Sequence, residues 1–249
     1  NRMRRPNVAL RLTSDTPDEV WRLALEVLGE GSGRPALYND DLYIQSLLEA
    51  ELGLTPEDAR EIGFGGCTET MIAGMSNVGS LEGELNLAKA VELALHNGWD
   101  PISENQAGPT TGAFDSFESF EAFFEAVKAQ VRHMTDAFTE RHNIDLERRF
   151  CEGDPKLYRT FFTRDCVRRR KSFEAGGARY NWAVVSYQGT GHAVDSLSAI
   201  RKWVFRERHI SPGELIDALN ADFKGMEPLR RQLESAPRFG NDLSEADSI

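Results

Sequence analysis

A thiol and a carboxylate stand two residues apart in Gly66-Cys67-Thr68-Glu69, with further glycines at 63, 65 and 74. In an extended chain, alternate side chains share a face and lie about 6.6–7 Å apart. Cys67 and Glu69 arranged in this way would flank a small molecule, with sulfur on one side and a proton acceptor on the other. The same four residues also suit a buried cysteine in a tight turn beside a surface glutamate, and spacing leaves both readings open.

The other reactive residue types form no pattern. His96, His133, His142, His192 and His209 are scattered, and no HExxH occurs, so they read as structural. Cys151 and Cys166 lie outside any metal-ligand spacing and read as buried or surface thiols. Gly63-Phe64-Gly65-Gly66-Cys67-Thr68 lacks the third glycine of a dinucleotide fingerprint, and no phosphate-binding loop is present. No bound cofactor and no metal site is expected. Ser76, Asn77 and Ser80 read either as pocket-lining residues or as hydrogen-bonders within their loop.

The elements that must hold this loop alternate between short strands and longer helices, which is an α/β pattern. Val8, Leu10 and Leu12 predict a half-buried strand. Thr16-Pro17-Asp18-Glu19, Thr55-Pro56-Glu57-Asp58 and Ser211-Pro212-Gly213-Glu214 each predict a capped helix start. The first of these helices would turn Val20, Leu23, Ala24 and Val27 inward. Residues 62–80 have no helical period and read as a loop with close backbone approaches. A helix is expected over 81–96, ending at Asn97-Gly98. Phe117, Phe120, Phe124, Val127, Val131, Met134 and Phe138 predict a helix over 117–138 packed on a domain core. Trp182–Tyr187 predicts a strand buried on both faces, followed by a helix over 193–206.

The composition sets outer bounds. The 249 residues are 40% hydrophobic and 28% charged, which is ordinary for a globular protein. A net charge of −11 disfavours nucleic acid or an anionic membrane as partner. No stretch approaches 18 apolar residues. Three cysteines without a CxxC spacing suit a reducing compartment, so a cytoplasmic protein is expected.

Gly66-Cys67-Thr68-Glu69 resembles the GCxE active-site motif of glycyl radical enzymes of the pyruvate formate-lyase-like family. Further landmarks keep the family's order: Pro35–Asp40 and Glu57–Arg60 before the cysteine, then Asn86–Gly98, Gly176–Asn181, Asp195–Ile200 and Gly240–Asp242 after it. The resemblance covers nearly the whole chain. It implies part of the family's α/β barrel, with the active-site cysteine loop inside it. Residues 1–249 would then be one partial domain, the central to C-terminal half of the barrel without the glycine-radical domain.

The resemblance also implies an enzyme: a radical lyase of dehydratase type, with Cys67 as thiyl radical and Glu69 as general base. A backbone glycine radical, installed by a radical S-adenosylmethionine activating enzyme, would supply the unpaired electron. The implied partners are a small-molecule substrate, the activating enzyme and further copies of the chain. Residue 66 is glycine where the formate-lyase members carry a cysteine, which disfavours acyl transfer. Thr70 replaces the proline usual after the glutamate, and no RVxGY-type radical motif occurs in these 249 residues. The alternatives are a non-catalytic barrel segment and a decarboxylase or formate C-acetyltransferase-like enzyme.

Overall fold

A computed structural model of the chain describes residues 7–66 and 69–249. In chain order its elements are β1 (Ala9–Leu12), α1 (Asp18–Val27), β2 (Ala36–Asn39), α2 (Asp40–Glu49), α3 (Pro56–Arg60), β3 (Ile62–Gly65), β4 (Glu69–Ile72), β5 (Gly83–Asn86), α4 (Leu87–Leu95), β6 (Trp99–Asp100), β7 (Asn105–Gln106), α5 (Phe120–Glu152), α6 (Leu157–Phe162), α7 (Cys166–Arg169), β8 (Val185–Gln188), α8 (Thr190–Ile200), α9 (Pro212–Asn220), α10 (Glu227–Glu234) and α11 (Ser244–Asp247). They form two compact units, Asn1–Glu82 with Ile144–Val184, and Gly83–Asn143 with Val185–Ile249.

In the first unit, β1 and β2 pair in parallel, from Ala9↔Ala36 to Leu12↔Asn39. The second strand runs straight into α2 because Asn39 caps it, its Oδ1 accepting from Leu42 N at 3.1 Å. Thr55 caps α3 in the same way, with Pro56 in the first turn as expected. The Thr16 start behaves differently. Its hydroxyl accepts from Thr13 N at 2.9 Å, so α1 opens at Asp18 without a side-chain cap. Of the face expected to turn inward from α1, only Ala24 is buried.

The expectation of an irregular loop over 62–80 is corrected. Strands β3 and β4 form an antiparallel hairpin with the register Ile62↔Ile72, Gly63↔Met71, Phe64↔Thr70 and Gly65↔Glu69. Glycines hid the strand period, because Gly63 and Gly65 occupy every second position and supply no side chain to register as apolar. Ile62, Phe64 and Ile72 point the other way, into a small core with Met75, Tyr180, Tyr43 and Trp182.

In the second unit, β5 and β8 pair in parallel from Gly83↔Val185 to Asn86↔Gln188. Asn86 Oδ1 accepts from Ala88 N and Lys89 N at 3.0 and 3.3 Å, so the helix expected from residue 81 starts at Leu87, after a strand. A Cβ at Gly83 would lie 2.6 Å from Phe138 Cζ, so the bare glycine is what lets this ring sit on the strand. The Trp182–Tyr187 run is not one buried strand. Trp182 N donates to Asn77 Oδ1 at 3.0 Å and its indole Nε1 to Thr70 O at 3.2 Å; ladder pairing begins only at Val185. Tyr187, in that ladder, is exposed.

Helix α5 extends far beyond the expected 117–138, and Phe117 precedes it. The buried face is Phe120, Phe123, Ala126, Val127 and Gln130, shifted from the expected stripe. Phe123 packs edge-on to Phe114 and Phe117, and α4 and α8 supply Val91, Ala94, Leu95, Ala193, Leu197 and Ile200 to the same core.

Candidate active site

The β3–β4 hairpin has two unlike faces. On one, Tyr38 stacks on Phe64 with ring centres 3.5 Å apart, and Tyr43 meets Phe64 edge-on at 5.2 Å. The Tyr43 hydroxyl lies 2.5 Å from Thr70 Oγ1. This face anchors the hairpin. On the other face, Gly63, Gly65 and Gly66 make a floor without side chains, over which Glu69 and Met71 project from β4.

Glu69 is 4% exposed. Its carboxylate is folded back over Gly66: a Cβ on that glycine would come 2.6 Å from Oε2 and closer still to Oε1. Gly66 has φ +52°, a conformation that glycine adopts without penalty. The Asn7 side-chain amide donates to Gly66 O, tying the start of the chain to the tip of the hairpin. Met71 covers Gly65 in the same manner, its Cε occupying the space of a Cβ there. Met71 shares the face of Glu69, and sequence reasoning missed it because the strand itself was missed. Cys67 and Thr68 lie outside the described residues. The Glu69 position is therefore described, and the cysteine's is not.

Charged groups fix the hairpin's base. Arg11 on β1 reaches Asp40 at the start of α2, with Nε–Oδ1 at 2.5 Å and Nη2–Oδ2 at 2.7 Å. The same guanidinium donates to Ile62 O at 2.9 Å, so one residue ties strand, helix and hairpin together. Arg179 donates to Asp165 and to Asp58, each at 3.0 Å, and the Tyr180 hydroxyl donates to Asp58 at 2.6 Å. The Arg179 hydrogen bond, helped by Arg168, holds Asp165 down at about 2. Tyr180 first and Arg179 second hold Asp58 below the usual carboxylate range, and burial pushes the Tyr180 phenol up.

Ser76 and Asn77 act within their loop. Ser76 Oγ accepts from Ile72 N at 3.0 Å, and Asn77 accepts from Trp182 as described above. Cys166 is fully buried, and that burial pushes its thiol pKa up, which disfavours the thiolate; Cys151 is exposed. Among the described residues, no three His, Cys, Asp or Glu side chains converge to hold a metal ion, and no helix is long and apolar enough to cross a membrane.

Residues 1–249 match the sequence profile of the family described as pyruvate formate lyase-like. The chain belongs to that family. Among curated relatives, it is 36% identical over 245 residues to the trans-4-hydroxy-L-proline dehydratase of Clostridioides difficile, covering 98% of this chain and 30% of that protein. It is 30% identical over 250 residues to the (2S)-3-sulfopropanediol dehydratase of Klebsiella oxytoca, covering 100% of the chain and 30% of the relative. The structure superposes with a TM-score of 0.83, at 36% identity, on the glycerol-bound B12-independent glycerol dehydratase from Clostridium butyricum, covering 100% of this chain and 31% of that one.

The glycyl radical enzyme resemblance and the α/β fold class are therefore met. The pyruvate formate lyase-like chain described here spans about 30% of the length of the relatives it matches. Those relatives are named as dehydratases.

Proposed function

We propose that this chain carries the cysteine loop of a radical dehydratase, with Cys67 abstracting hydrogen and Glu69 accepting a proton. In this reading, residues 1–249 are a central part of a longer enzyme. A backbone glycyl radical from elsewhere in it, installed by a radical S-adenosylmethionine activating enzyme, supplies the unpaired electron to the Cys67 sulfur. Gly66 is exposed at the end of β3, which suits the approach of a second backbone segment.

Cys67 then removes a hydrogen atom from the substrate carbon that bears a hydroxyl group. The resulting hydroxyl is far more acidic than that of the parent alcohol. The Glu69 carboxylate takes its proton as the hydroxyl on the neighbouring carbon leaves and passes that proton to the departing oxygen, so water is released and the carboxylate is restored. The product radical recovers the hydrogen atom from Cys67, which restores the sulfur's oxidation level. A buried carboxylate on a floor without side chains suits the task, since the pocket must hold a small polyol-like substrate and exclude water. The observation that carries the reading is Glu69, buried and folded over Gly66 two residues from Cys67. The partners in this reading are a small-molecule substrate, the activating enzyme and further copies of the chain, in the cytoplasm.

The test uses the full-length protein, activated anaerobically and offered glycerol, trans-4-hydroxy-L-proline and (2S)-3-sulfopropanediol. Cys67→Ser should keep the glycyl radical signal and lose turnover by at least 10³-fold, on the scale expected when the only hydrogen-abstracting group is removed. Undiminished turnover would sink the reading.

A further inference from the structure

We propose that Gly66 is a positioning residue: its missing side chain is the seat of the Glu69 carboxylate, so a side chain at 66 and a working base at 69 exclude each other. The inference rests on the reading of Glu69 as proton acceptor.

Three observations meet at this point. The register pairs Gly65 with Glu69, which puts Gly66 at the turn, next to the carboxylate's own strand end. A Cβ at 66 would stand 2.6 Å from Oε2 and 2.7 Å from Cδ of Glu69, well inside contact distance. Glu69 is only 4% exposed, so its carboxylate is held inside the structure and not in solvent. The obstacle to a Cβ is the far end of a flexible side chain and not backbone. A side chain at 66 therefore moves the carboxylate and leaves the hairpin standing. Misplacing a catalytic group by about 1 Å can cost on the order of 10²-fold in rate. The floor at Gly65 repeats the arrangement with Met71 Cε, but that side chain holds no proton and carries no such consequence.

Residue 66 also has φ +52°, which disfavours alanine for a separate reason. Asparagine separates the two causes, because it tolerates that backbone conformation better while still placing a Cβ over the glycine floor. The experiment compares Gly66→Ala, Gly66→Asn, Glu69→Ala and the double variant Gly66→Ala/Glu69→Ala in the full-length activated enzyme. Turnover is read on the three compounds named above, radical content by electron paramagnetic resonance, and the carboxylate position from crystal structures.

Both Gly66 variants are expected to shift the Glu69 carboxylate by more than 1 Å and to lower kcat about tenfold to hundredfold, with radical content unchanged. In the Glu69→Ala background, Gly66→Ala should change kcat less than twofold, since the displaced group is already gone. The crystal structures need no turnover, so an unmoved carboxylate in both variants overturns the proposal whatever the substrate. Wild-type kcat in Gly66→Asn overturns it as well, and so do Gly66→Ala and Glu69→Ala effects that simply multiply. Wild-type kcat in Glu69→Ala overturns the reading of Glu69 itself, with the steric result standing apart from it.

Discussion

The two units stabilise themselves by different means. Around α4, α5 and α8 the core is apolar: Phe114, Phe120, Phe123, Leu197, Ile200 and Leu215 are all at most 8% exposed. Around the β3–β4 hairpin, four buried residues, Ile62, Ile72, Met75 and Tyr180, form the core. Much of the remaining order comes from directed contacts: Arg11 to Asp40 and Ile62 O, Arg179 to Asp58 and Asp165, and Trp182 to Thr70 O. Apolar burial is non-directional and holds wherever the volume is filled, whereas hydrogen bonds and ion pairs fix angle and register. The hairpin face that carries Gly63 and Gly65 offers only Glu69 and Met71 for packing. Its position is set by polar contacts at its base and by the aromatic stack behind it.

The sharpest way to break this comparison is Phe123→Ala. Phe123 is fully buried at the centre of an aromatic cluster, so its loss should cost about 3–5 kcal/mol. Hydrogen exchange in the full-length protein should show protection falling across α4 and α8 while residues 69–72 keep theirs. Equal loss in both places would mean that the two cores are one.

Arg179→Gln is the counterpart in the hairpin unit, with a smaller effect than Phe123→Ala and a clear pH signature. Asp165 has a folded pKa of about 2 against an ordinary 3.8, and Asp58 is lowered too. A lowered carboxyl pKa means that the unfolded chain binds more protons in acid. The stabilisation is therefore complete above about pH 5 and is lost as pH falls through 4 towards 2. Arg179→Gln removes the first cause of the Asp165 shift, so its acid unfolding should start at higher pH than in the wild type. An acid limb that does not move, followed by circular dichroism, would show that Arg179 does not hold these carboxylates.

The smallest effect is expected at a cap. Ser211 Oγ accepts from Glu214 N at 3.2 Å, and Glu214 accepts from Ser211 N at 2.8 Å, so the box at the start of α9 is complete. Ser211→Ala should cost about 1 kcal/mol, confined to α9 by hydrogen exchange. A loss that spreads to the hairpin would contradict the separation of the two units.

Local chemistry was legible in the amino-acid order itself. The caps at Thr55 and Ser211 follow from side chains that bind backbone three residues away, the helix ending at Asn97-Gly98 from two residue types that accept positive φ, and the strand at β1 from its apolar alternation. The α/β class and the family were legible too, since the landmarks around Gly66-Cys67-Thr68-Glu69 run through almost the whole chain. Tertiary structure decided what depends on partners distant in sequence. It paired β3 with β4, because Tyr38, Tyr43 and Trp182 contact one face of these strands. It divided the Trp182–Tyr187 run, because Asn77 and Thr70 take the Trp182 N–H groups before β5 can pair with β8. It also set the Glu69 carboxylate over Gly66, since a glycine in a sequence shows that a side chain is missing but not which group fills the space.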